Sequence, residues 1–60
     1  MKYPKEVVAE WIRMINEQPS KPLSEWENSF MLSITDEFER TGYLTGPQLD
    51  KLEDIYTHKT

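Results

Sequence analysis

The chain has no cysteine, one histidine, two glycines and few basic residues, and each shortage excludes something. Without cysteine there is no disulfide framework and no thiolate metal site, which suits a reducing cytoplasm and leaves stability to packed apolar side chains. No run approaches the roughly 18 consecutive apolar residues of a membrane span, and Met1-Lys2-Tyr3-Pro4 does not lead into the apolar stretch of a signal peptide. Neither secretion by that route nor membrane insertion is expected. Seven Lys and Arg against eleven Asp and Glu give a net charge of −4. That balance works against nucleic-acid binding, which depends on cations displacing counterions from phosphates. Length is short as well: at 60 residues a chain buries only about 60% of the surface it exposes when unfolded, enough for one thin core and no deep substrate cavity. An enzyme is not expected.

What is present is helical patterning. Pro4, Pro19, Pro22, Gly42, Gly46 and Pro47 divide the chain into three segments, each with apolar residues at helical spacing. The first helix is expected over residues 4–18, with Val7, Val8, Trp11, Ile12, Met14 and Ile15 in one arc and Pro4 at its first position. Residues 19–23 form a short proline-containing connection. Ser24-Glu25-Trp26-Glu27 is a capping box, so the second helix runs over 24–41, with Leu23, Trp26, Phe30, Met31, Ile34 and Phe38 sharing an arc. Gly42 suits a left-handed cap, with Tyr43 folding back on Phe38. Thr45 and Gln48 repeat the capping pattern for a third helix over 46–58, Leu44 and Leu49 have the spacing of a hydrophobic staple, and Leu49, Leu52, Ile55 and Tyr56 form its core stripe. The expected fold is all-α, a compact three-helix bundle forming a single domain over 1–60. An up-down-up arrangement is preferred to a helix-turn-helix corner at Gly42 to Gly46. Both tryptophans and most of the aromatics are expected inside, because so small a core needs their area.

No grouping carries a chemistry. His58 has no second histidine or cysteine beside it, the serines and threonines lack a base, and the two glycines flank a turn without a phosphate-binding lysine. No catalytic, metal or cofactor site is expected. Glu27 falls on the apolar arc, and its pairing with Ser24 explains it as a cap. Residues 23–41 carry five acids against one arginine. On this acidic helix Leu32 falls among Glu25, Asn28, Asp36 and Glu39 rather than with the core. Together with Tyr3, Met14 and a tryptophan, Leu32 is a candidate for an apolar patch facing a partner or a second copy of the chain. The partner-binding set is therefore Leu32, Glu25, Asp36 and Glu39. The alternative is a nucleic-acid-binding module on the third helix, using Lys51, His58 and Lys59 with stacking from Tyr43 or Tyr56.

Leu23-Ser24-Glu25-Trp26-Glu27, Phe30, Ser33 and Ile34, followed by Gly42, Leu44-Thr45, Gln48, Leu52, Ile55 and Tyr56, spell LSxWExxFxxSI and GxLTxxQxxxLxxIY. This pattern resembles a short helical segment of tailed-phage and prophage proteins. Some of those are small stand-alone proteins; in others the segment is an appendage on proteins of DNA replication or recombination. The likeness covers Leu23 to Tyr56 and omits the first helix. It implies a phage origin and a nucleic-acid-processing setting, and it implies no catalytic residue. The leading expectation is a non-enzymatic phage-type accessory protein that docks a helix face on a protein of replication, recombination or host takeover.

Overall fold

The first backbone N–H groups of a helix have no intrahelical acceptor, and two of the three segments supply one from a side chain. The computed structural model describes residues 1–60 and contains α1 (Lys5–Glu17), α2 (Glu25–Thr41) and α3 (Gly46–Lys59), with no strand. α1 starts one residue later than expected. Pro4 stands outside it in extended conformation, and its carbonyl accepts from the N–H groups of Val7 and Val8, both at 3.1 Å. At α2 the capping box is closed in both directions: the Ser24 hydroxyl accepts from Glu27 N–H at 3.1 Å, and the Glu27 carboxylate accepts from Ser24 N–H at 2.8 Å. Thr45 and Gln48 do the same at α3. α2 ends at Gly42, whose φ of 69° is left-handed and whose N–H donates to the Phe38 carbonyl at 2.7 Å.

Contacts along the helices fix their directions. Lys2 reaches Asp50 at 3.1 Å at one end, Trp11 stacks on Tyr56 midway, and Ser20 donates to the Lys59 carbonyl at the other end, so α1 and α3 run parallel. α2 runs against both: Lys5 lies over Gly42, Asn16 donates to Thr35 at 3.2 Å, and Glu27 sits 3.5 Å from Lys59. The arrangement is up-down-up rather than a corner.

The core consists of nine side chains: Val8, Ile12 and Ile15 from α1, Met31 and Ile34 from α2, Leu44 from the turn, and Leu49, Leu52 and Ile55 from α3. Each contributes about 1.5–3 kcal/mol over the exposed state. Tyr3, Trp11, Leu23, Phe30, Phe38 and Tyr56 are partly buried around this cluster.

The expectation that both tryptophans lie inside is corrected: Trp26 is 58% exposed and Trp11 only half-buried. At about 100° per residue, Trp26 lies about 80° around α2 from Ile34 and about 140° from Met31, on the border of the buried stripe. The inward position at that end belongs to Glu27, held by its cap. Tyr43, expected to fold back on Phe38, is 52% exposed, and its neighbour Leu44 goes inside instead.

Replacing Ser24 or Thr45 by alanine is expected to cost about 1 kcal/mol each, a melting temperature lower by about 4–8 °C in a domain of this size. Gly42→Ala should cost about 1–2 kcal/mol, because alanine must adopt the left-handed conformation. Thermal melts followed by circular dichroism check all three.

Candidate functional site

α2 contributes only two of the nine core side chains and therefore keeps a broad outer surface. Glu25, Leu32 and Glu39 are spaced by seven residues, so on an unbroken helix they form one line, with Asp36 one turn beyond Leu32. The line runs about 21 Å along the axis. Leu32 is the most exposed large hydrophobic residue of the chain, at 75%, and all three carboxylates beside it are exposed. Asp36 pairs with Arg40 at 3.3 Å, whereas no cation of the chain pairs with Glu25 or Glu39. The four partner-binding candidates thus share one acidic face with an apolar centre.

The wider patch drawn from the sequence is split. Tyr3 packs edge-on against Trp11 at 4.9 Å, and Trp11 stacks on Tyr56 at 5.4 Å, so this aromatic ladder belongs to the α1/α3 side. Trp26 lies about 120° around α2 from Leu32. It stacks on Phe30 at 5.3 Å, with the Lys51 ammonium 5.1 Å from its ring centre.

The alternative basic set is dispersed and internally paired. Lys51 and His58 both engage Asp54, at 3.3 and 3.2 Å. The Lys59 ammonium donates to the Pro22 carbonyl at 3.3 Å and lies 3.5 Å from Glu27. Tyr43 is at the opposite end of α3, about 20 Å away. No cluster of three or more His, Cys, Asp or Glu side chains has metal-ligating geometry, and no helix is long and apolar enough to cross a membrane.

The sequence reading missed a cleft of about 410 Å³ between α1 and α2, bordered by Ala9, Ile12 and Phe38. No pattern within one helix signals it; Ala9, the chain's single alanine, stands on its α1 wall. Comparison with protein-family models, curated proteins and solved structures finds no match to this chain.

Glu27 is the most constrained carboxylate. The Ser24 backbone N–H holds its pKa below the ordinary 4.5 despite partial burial, with the Lys59 ammonium acting in the same direction. A folded-state pKa below the unfolded one adds stability that is complete above pH 4.5 and is lost as pH falls through the folded value. Glu27→Gln keeps an oxygen for the Ser24 N–H and does not titrate. Its urea midpoint is expected to fall less than the wild-type midpoint between about pH 7 and pH 3; an equal fall would contradict the assignment.

Proposed function

We propose that the protein is a non-enzymatic binding module that docks the outer face of α2 on a positively charged protein surface. The observation that carries this reading is Leu32, 75% exposed at the middle of a carboxylate line on a rigid helix. A single exposed leucine is ordinary. A leucine in register with Glu25, Asp36 and Glu39 supplies an apolar contact inside a charged rim, the anatomy of a protein interface. The unpaired carboxylates speed the encounter with a basic partner and reject an acidic one. The resemblance of residues 23–56 to phage segments supports an accessory role in replication, recombination or host takeover. The pairing of Lys51, His58 and Lys59 with the chain's own acids speaks against phosphate as the ligand.

Immobilised protein incubated with bacterial lysate is expected to retain one discrete basic protein. That protein should be lost with Leu32→Ser and with Glu25→Lys/Asp36→Lys/Glu39→Lys. Leu32→Ser itself should change stability by no more than about 0.5 kcal/mol, being a surface substitution. Labelled DNA should show no retarded band at low salt. A band that Lys51→Ala or Lys59→Ala removes would overturn the reading in favour of nucleic acid.

A further inference from the structure

We infer that the α1/α2 cleft is the anchor pocket of this same docking face, and that it takes one large apolar side chain from a cationic amphipathic helix laid obliquely across α2. The inference rests on the docking reading above and adds the partner's shape and residue pattern to it.

The geometry comes from three features. Ala9 and Ile12 of α1 line the cleft opposite Phe38 of α2, and its volume of about 410 Å³ is open to solvent. Asn16 and Thr35, both lining the cleft, join its two helices by a hydrogen bond at 3.2 Å. The rim is acidic in effect: Arg13 is already held by Glu10 and by Glu17, at 3.6 Å from the latter, whereas Glu39 lines the cleft without a cation partner.

Glu39 belongs both to this rim and to the line through Leu32, so cleft and stripe form one continuous surface. Phe38 lies six residues beyond Leu32, about 9 Å along the axis and about 120° around it towards α1, so a line from Leu32 to the cleft runs obliquely across α2 over Thr35. A partner helix that crosses α2 obliquely, with apolar side chains at i and i+7, therefore covers Leu32 with one and fills the cleft with the other. Its flanking Lys or Arg then meet Glu39, Asp36 and Glu25. This is recognition of an amphipathic helix in a groove, with anchors two turns apart.

The probe is a synthetic helical peptide of roughly 18 residues, long enough to hold a helix, built from Lys, Ala and Gln with Leu and Phe seven positions apart. Two controls accompany it: one has both anchors changed to Ala, the other has every Lys changed to Glu. Nitrogen–proton correlation spectra of the labelled protein follow each titration up to about 1 mM, where even contacts of about 4 kcal/mol register. The expected result is shifts at Ala9, Asn16, Thr35, Phe38 and around Leu32 with the first peptide only. Ala9→Phe fills the cleft from an exposed helical position and should weaken binding at least about tenfold, the worth of one buried apolar side chain. Glu39→Lys should weaken it by up to about fivefold. Binding that Leu32→Ser abolishes and Ala9→Phe leaves intact would overturn the cleft assignment while the docking face stands. No shift with any peptide, or equal binding of the acidic control, would overturn the docking reading itself.

Discussion

The constraint on which the rest of the molecule depends is that nine aliphatic and thioether side chains must hold sixty residues together. No polar side chain lies among them and no aromatic ring is fully enclosed. A core this thin defines helix faces better than helix ends, and the ends are secured by other means. Two reciprocal capping boxes start α2 and α3, and Gly42 stops α2. Ser20, Pro22, Glu27 and Lys59 form a polar clasp joining the connection after α1 to the first turn of α2 and the last turn of α3. Glu27 illustrates the economy of the design: one carboxylate caps a helix, compensates a half-buried lysine and takes an inward position that an apolar residue would otherwise fill.

Helix boundaries were legible because caps are local. A serine three residues before a glutamate, a threonine three before a glutamine and a glycine after an apolar run each specify a backbone hydrogen bond without reference to the rest of the chain. The buried stripes were legible for a similar reason, since periodicity decides which arc turns inward. The position of Trp26 was not, because residues at the edge of a stripe go in or out according to the neighbouring helix. Here Glu27 holds the inward position, and Trp26 rests on Phe30 with Lys51 above its ring. The exposed line of Leu32, Glu25, Asp36 and Glu39 was readable from heptad spacing on one helix. The cleft beside it was not, since it arises between two helices whose approach no single-helix pattern encodes.

The burial pattern divides the labour among the helices. α1 and α3 run side by side and supply six of the nine core residues, while α2 supplies two and presents the rest of its circumference outward. A helix held mainly by its ends and one narrow stripe is a suitable platform for docking: its backbone is fixed, so a partner orders few groups on contact and loses less affinity to entropy. The charge distribution follows the same division. Residues 1–18 sum to zero, and the excess acid falls on α2, where Glu25 and Glu39 have no partner within the chain.

The most direct test of α2 as the working face is site-specific photocrosslinking in bacterial lysate, with benzoylphenylalanine in place of Leu32 in one sample and of Thr57, on the exposed side of α3, in another. The account predicts one crosslinked protein from position 32, joined through a lysine- or arginine-rich helix, and none from position 57. Crosslinks that form equally at both positions, or that join position 57 to nucleic acid, would contradict it.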